Sequence, residues 1–361
     1  MRVLVLNAGS SSLKASVVAA GAVVGVAVEV EWSAGAKGAG KVVGDALHRL
    51  PATPEAVGYR VVHGGTRYRS PSQVDEALLA TVEELDALAP LHNRRAAAVM
   101  RAGRTALPRL EHVACFDTAF HADLPEVAWR YPLPASWVER WGIRRFGFHG
   151  LSVTWSVRRA AEVLGRPVDE LRLVVAHLGS GCSVTAIDRG LSVSTSMGFT
   201  PYEGLMMGTR AGSIDPGILL HLLESGVSAE ELADGLSRRS GLLGVSGTTA
   251  SARRLEAAAG AGDAKSQIAL EMFAARAAAG IASVATALPM LDALVFTGGI
   301  GEHSPLVRDR IARRLGVLSV PSELATPNAD GVVADGPPPV LVVEAHEDLV
   351  IADEVSTLLA R

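Results

Sequence analysis

The chain has 361 residues, 48% of them hydrophobic, and a formal charge of −4 from 34 basic and 38 acidic side chains. That length suggests a pair of domains, each able to bury its own core. The near-neutral balance, with no basic run longer than an Arg-Arg pair, argues against nucleic acid or anionic membrane partners and points to small-molecule ligands.

Residues 2–18, RVLVLNAGSSSLKASVV, read as a β-hairpin. Gly9 permits the sharp turn and is expected to leave backbone N–H groups facing an anion, while Ser10, Ser11, Ser12 and Lys14 add hydroxyls and a cation. An ordinary Gly/Ser hairpin is the alternative. Residues 22–32 are β-rich, 33–44 read as a flexible surface connection, and a short helix follows. The strand over 56–62 delivers Arg60 and His63 to a glycine-rich end, where α/β sheets usually present ligands. Residues 74–88 have helical spacing, and 90–103 begin a second helix. The strand in HVACFDTAFH, 112–121, exits at Asp117. The Pro- and Trp-rich stretch 125–141 reads as an irregular crossing between the halves.

FGFHG, 146–150, precedes a helix over 153–164. A second hairpin follows in LVVAHLGSGCSVTAI, 173–187, where Gly179 and Ser180 stand as Gly9 and Ser10 do. Such a repeat suggests two related halves closing on one nucleotide. The polar, glycine-rich segment 195–217 is long enough to be functional. Helices are expected over 217–236 and 263–288. The longest apolar stretch, 277–296, is interrupted by Ser283, Thr286, Pro289 and Asp292, so it reads as a core helix and strand, with no membrane span. Residues 293–302 give a strand and a glycine turn. A further strand, an acidic turn at Glu347 and Asp348, and a closing helix that returns to the first half complete the pattern. No secretory pattern opens the chain, and Cys115 and Cys182 lack metal-type spacing, so buried thiols in a reducing cytoplasm are expected.

Phosphoryl transfer to a carboxylate needs phosphate cradles, a divalent metal held by oxygens, and cations that neutralise acceptor and transition state. Arg60 and Arg210 suit the last task, with surface arginines as the alternative. Asp117 and Glu347 at strand exits suit Mg²⁺, with helix caps as the alternative.

The ordered motifs NAGSSSLK, RVVHGG, APLHN, FDTAFH, FGFHG, HLGSGCS, TSMGFTP, EGLMMGTR, FTGGIGE and HEDL resemble the acetate and propionate kinase family. The resemblance implies an α/β fold of duplicated ribonuclease-H-like (actin/hexokinase-type) domains with an interdomain nucleotide cleft. The expected domains are 1–120 plus 348–361, for acyl substrate and phosphate, and 121–347, for nucleotide. It implies reversible transfer from ATP to acetate, giving acetyl phosphate and ADP, with Mg²⁺ (Mn²⁺ possible), in a cytoplasmic homodimer. A propionate or other short-chain acyl kinase, and a non-kinase nucleotide-driven binding protein of the same superfold, are the alternatives.

Residue by residue, the resemblance assigns Asn7 and Glu347 to the metal. Lys14, Ser10 and Ser12 fall to the nucleotide phosphates, as do His177, Gly179, Ser180 and Gly181. Arg253, Gly298, Gly299, Ile300, Gly301 and Glu302 fall to the adenosine side. Asp117, His149, Arg210 and Arg60 would be catalytic, Arg60 also binding the acceptor carboxylate. Val62, Leu91, Phe148 and Pro201 would hold the acyl methyl, while His63, His121 and His177 support the contacting groups from behind. The chain departs from the family pattern at Ser180 (usually Asn), Ser251 (usually Asp), Tyr59 (usually His) and His346 (usually Asn), and is short between Lys14 and Arg60.

Overall fold

A computed structural model describes residues 1–9, 12–25, 27–32, 37–89, 92–326 and 330–361; Ser10 and Leu91 therefore lie outside the described residues. The chain divides into two compact units, Met1–Ala122 with Phe148–Trp155 and His346–Arg361, and Asp123–Gly147 with Ser156–Ala345. Phe148–Trp155, which the sequence suggests belongs with the second half, packs in the first.

The first unit is built on β1 (Val3–Ala8), β2 (Ser12–Ala19), β3 (Ala22–Val23), β4 (Val28–Glu31), β5 (Ala56–Val61), β6 (Ser72–Gln73) and β7 (Glu111–Phe116). Their order is β3-β2-β1-β5-β7-β6, with β4 also pairing with β2. β1 runs antiparallel to β2 and parallel to β5, β5 is parallel to β7, and β6 closes the edge antiparallel. Both faces of β1 are buried, as a sheet covered by helices on two sides requires. Leu4, Leu6, Val57 and Phe116 belong to one core with helices Ala39–Leu47, Glu76–Glu84 and Asn93–Ala106. Val3, Val5, Ala56 and Val113 face Ile351 and Val355 of the closing helix, Glu347–Leu359. Gly58 makes room for that helix: a Cβ there would lie 2.6 Å from Ile351 Cγ2.

The second unit repeats the plan. β8 (Arg172–Leu178), β9 (Cys182–Asp188), β10 (Leu191–Thr195), β11 (Ala293–Thr297), β12 (Gly331–Ala334) and β13 (Val340–Val342) run in the order β10-β9-β8-β11-β13-β12. Again the first strand is antiparallel to its hairpin partner and parallel to the next, and an antiparallel strand closes the far edge. The helix Ala264–Ala285 is long and apolar enough to cross a membrane by length and composition. It buries Leu270, Phe273, Ala274, Ala277 and Ile281, and its Gly280 approaches Val184 of β9, which marks it as a core helix.

Local structure departs from the sequence expectation in three places. The expected short helix begins earlier, at Ala39 within the stretch 33–44 read as a flexible connection, because Val42, Val43 and Ala46 bury one face despite two glycines. The stretch 125–141 holds two short helices, each started by a proline at its N-cap. After β11 the glycine turn continues as the short helix Gly298–His303.

Tyr59 is fully packed: its hydroxyl donates to His112 Nδ1 at 2.7 Å, and His112 Nε2 donates to the Leu107 carbonyl at 3.0 Å. Burial lowers the His112 pKa and keeps the ring neutral. A Cβ at Gly103 would lie 2.1 Å from the Tyr59 hydroxyl oxygen. Gly103→Ala, which in an open helix gains roughly 0.5–1 kcal/mol, is expected here to lower unfolding free energy by about 1–3 kcal/mol. Tyr59→Phe in the same background should recover part of the loss. Urea denaturation checks both, and a more stable Gly103→Ala protein contradicts the packing.

Candidate active site

In the first unit the functional side chains gather where the parallel strands β1, β5 and β7 end. The register pairs Leu6 with Tyr59 and Val61 with Phe116, so Asn7, Arg60 and Asp117 emerge side by side. Arg60 grips Asp117 with both arms of its fork, Nε to Oδ1 at 3.0 Å and NH2 to Oδ2 at 2.7 Å. Its Nε also lies 3.4 Å from Glu347 Oε2, and its NH1 donates to Asn7 Oδ1 at 3.4 Å. Asn7 Nδ2 in turn donates to Glu347 at 3.3 Å. The Asp117 side chain is only 1% exposed, against 17% for Arg60.

Burial pushes the Asp117 carboxyl upward, and the Arg60 charge opposes that rise. For Arg60, burial works against the cation, but the Asp117 and Glu347 charges outweigh it and hold it protonated. One guanidinium therefore faces two carboxylates, and the trio carries a formal net charge of about −1. That sum matters for any anionic ligand.

The FGFHG turn is stitched to the same aspartate. The His149 N–H donates to the Asp117 carboxylate, and the Gly150 N–H donates to the Asp117 carbonyl at 2.9 Å. His149 holds a left-handed φ of 60°, a strained value for a side-chain-bearing residue. Gly150 has no alternative: a Cβ would lie 2.2 Å from the Asp117 carbonyl oxygen. Buried His121, its pKa lowered to about 4 by burial, donates Nε2–H to the Phe148 carbonyl at 3.1 Å. Phe148 and Val62 are buried, and the Phe148 ring meets His63 edge-on at 5.3 Å. His63 is clamped by buried Asn93, which accepts from its N–H at 3.1 Å and donates to its carbonyl at 3.0 Å. Asn93 is not among the residues singled out from the sequence; an amide at the start of a helix, following APLH, was the available signal.

The glycine N–H groups expected to face an anion are used inside the hairpins. Gly9 N–H donates to the Ser12 carbonyl at 2.9 Å and Gly179 N–H to the Gly181 carbonyl at 3.0 Å. These two donors fix the turns, so phosphate contacts would fall to other groups. Lys14 is exposed, opposite Asn7 across the β1–β2 pair, with no carboxylate in ion-pair range among the described residues. Ser12 donates its hydroxyl to Glu29 Oε1 at 2.6 Å.

In the second unit, His177 pairs with Thr297, bringing the β8–β9 turn beside the start of the GGIGE segment. Gly298 has a φ of 77° and no room for a Cβ, which would lie 2.9 Å from the Leu178 carbonyl oxygen. Gly299 and Ile300 follow in the short helix, which is held from behind. Arg308 donates to the Gly301 and Glu302 carbonyls at 2.7 and 2.8 Å, and Glu302 accepts from the Ala345 N–H at 3.1 Å. Burial raises the Glu302 pKa. The Ser180 carbonyl accepts from Gly208 N–H at 3.2 Å, joining the turn to the segment that carries Arg210. Arg210 is 8% exposed and donates to the Pro201 carbonyl at 2.8 Å. No carboxylate pairs with it among the described residues, and burial lowers its pKa. A buried, unneutralised guanidinium is a site prepared for an anion. Arg253 is exposed in the helix Ala252–Gly260, whose N-cap is Ser251, accepting from Arg254 N–H at 3.4 Å. Serine and aspartate cap equally well, which accounts for the replacement locally.

Residues 39–353 match the model of the acetokinase family. The chain belongs to that family. A Deinococcus radiodurans acetate kinase is 43% identical over 99% of this chain and 98% of its own length. A Synechococcus acetate kinase is 48% identical over 86% of this chain and 78% of its own. The crystal structure of Porphyromonas gingivalis acetate kinase superposes with a TM-score of 0.85 at 31% identity, covering 99% of each chain. A Francisella tularensis propionate kinase gives 0.84 at 32% identity, covering 98% of each. A more distant likeness to a putative N-acetylmannosamine kinase from Listeria monocytogenes, TM-score 0.51 at 12% identity, extends the fold to sugar kinases.

The acetokinase-family cluster also fits a divalent cation. Glu347 and Asn7 supply hard oxygens, and the Arg60–Asp117–Glu347 trio has a net negative charge to be met. Among the described residues no group of three His, Cys, Asp or Glu side chains is arranged for a metal. A cation here would draw most of its coordination from water and substrate oxygens, the arrangement Mg²⁺ favours.

Proposed function

We propose that the chain is an acetate kinase, moving the γ-phosphoryl group of ATP reversibly to acetate, with Mg²⁺ as the ordinary cation and Mn²⁺ able to substitute. The observation that carries this reading is the 43% identity to a named acetate kinase along 99% of the chain. A carboxylate oxygen of acetate attacks the γ-phosphorus, the bond to the ADP oxygen breaks, and acetyl phosphate forms. The acceptor is already an anion, so no base need remove a proton. Asp117 is accordingly assigned to orienting Arg60 through its paired hydrogen bonds, which leaves other Arg60 N–H groups for acceptor and phosphoryl oxygens.

Arg210, buried without a carboxylate partner, is assigned to the transferring phosphoryl group. His149, fixed by the bonds of its turn to Asp117, is assigned to a donor role in the transition state. When bound, the divalent cation supplies positive charge that offsets Glu347 and the phosphate oxygens; Glu347 and Asn7 would hold it. Lys14, Ser10, Ser12 and the turn from His177 to Gly181 fall to the donor phosphates, Arg253 and 298–302 to adenosine. Val62 and Phe148, with Leu91 and Pro201, are assigned to the acyl methyl.

Propionate is the second reading, favoured by the likeness to the Francisella propionate kinase. One methylene in an apolar pocket is worth only about 1–3 kcal/mol. A homodimer is supported by the helix Pro216–Glu224, none of whose residues is buried and whose Ile218, Leu220 and Leu223 are 48%, 62% and 43% exposed. A cytoplasmic setting is supported by Cys115 and Cys182, both buried and unpaired.

Purified protein with Mg²⁺, ATP and acetate, propionate or butyrate should yield acyl phosphate trapped by hydroxylamine, most of it from acetate. No trapped product with any acid contradicts the function. Arg60→Ala and Arg210→Ala should each reduce turnover by at least about 100-fold with the fold retained by circular dichroism, and near-wild-type rates remove that residue from the site. Leu220→Lys should convert the dimer to monomer in light scattering; an unchanged mass moves the interface elsewhere.

A further inference from the structure

The outward face of the first hairpin carries an opposing charge that the phosphate-binding reading does not use. Across the β2–β4 pair, Lys14 stands directly opposite Glu29 and Ser12 opposite Glu31. Residues directly opposite in an antiparallel pair project from the same face. The intervening Leu13 and Ala15 turn inward and are buried, whereas Lys14, Glu29 and Glu31 are exposed. Glu29 also reaches diagonally to accept the Ser12 hydroxyl at 2.6 Å, a short bond of the charge-assisted kind. Its backbone is held in place, since its carbonyl accepts from Arg49 NH1 at 3.1 Å.

We propose that Glu29 determines affinity for the phosphate donor, by holding the Ser12 hydroxyl and offsetting the Lys14 charge on the face of the first hairpin. This rests on the reading that Ser12 and Lys14 meet donor phosphates. Under it, an arriving polyphosphate meets a carboxylate beside its two side-chain partners and must draw the Ser12 hydroxyl away from an anionic acceptor. The donor therefore binds less tightly than Ser12 and Lys14 alone would allow, which favours release of ADP after transfer. The charge is exposed, so its influence is screened by salt.

Glu29→Gln removes the charge and keeps a carbonyl oxygen able to accept from Ser12. Calorimetry with Mg-ADP should show Kd falling about threefold to tenfold at low ionic strength, a gain that shrinks in 0.5 M salt. The KM for ATP should fall likewise while the KM for acetate is unchanged, a split that a general loss of packing would not produce. An ADP affinity equal to or weaker than wild type in Glu29→Gln overturns the inference. Lys14→Ala, measured in parallel, separates the two levels: weakened ADP binding there supports the donor role of the hairpin, whereas unchanged binding sinks that underlying reading rather than the role of Glu29 alone.

Discussion

The pairing of Arg60 with Asp117 is the constraint on which the rest of the first unit's site depends. A guanidinium taken out of water at the end of β5 is stabilised by an anionic partner, and a carboxylate buried at the exit of β7 by a cation. Each makes the other tolerable. The same aspartate binds the His149 N–H through its carboxylate and the Gly150 N–H through its carbonyl, so one residue fixes both the orientation of Arg60 and the course of the FGFHG turn. Glu347 then adds a second negative charge within 3.4 Å of the arginine. A trio of that formal charge repels carboxylates and phosphates, and a cation joining it would lower that barrier.

The two units solve the same problem with different residues. Each ends its first strand in a hairpin whose glycine N–H is spent closing the turn, and each lines up parallel strand ends beside it. In the first unit the cation at the strand ends is neutralised by carboxylates. In the second, Arg210 is held by a carbonyl and has no carboxylate partner among the described residues. The second arrangement costs more in desolvation, as its lowered pKa reflects, and is the better anion receptor for the same reason.

Much of this was legible in the sequence. The duplicated plan could be read from Gly9 and Gly179, because the same small polar turn between two apolar runs occurs twice. The candidate acids and arginines could be picked out at strand exits and among glycines. What could not be read is which group meets which. Arg60 and Asp117 are 57 positions apart, and their paired geometry is set by strand register, which single-residue patterns do not encode. The direction of the Gly9 and Gly179 N–H groups depended on internal turn bonds that composition does not reveal. Tyr59, unusual for its position in the family pattern, fits because Gly103 leaves space and His112 accepts its hydrogen bond, a three-body complementarity invisible to pairwise motifs. The early start of the helix over 39–47 was hidden by its glycines, although its buried valines outweigh their cost.

By formal charge, the Arg60–Asp117–Glu347 cluster is net negative until a cation joins it. The most direct test is calorimetric binding of acetyl phosphate with Mg²⁺ and with the metal removed by chelation, in wild type and in Glu347→Gln. Wild type should bind at least about tenfold more weakly without the cation, the scale of one uncompensated charge partly screened by solvent. That difference should largely disappear in Glu347→Gln, where the trio is neutral. Equal affinity with and without Mg²⁺ in wild type, or an undiminished metal effect in Glu347→Gln, would contradict it.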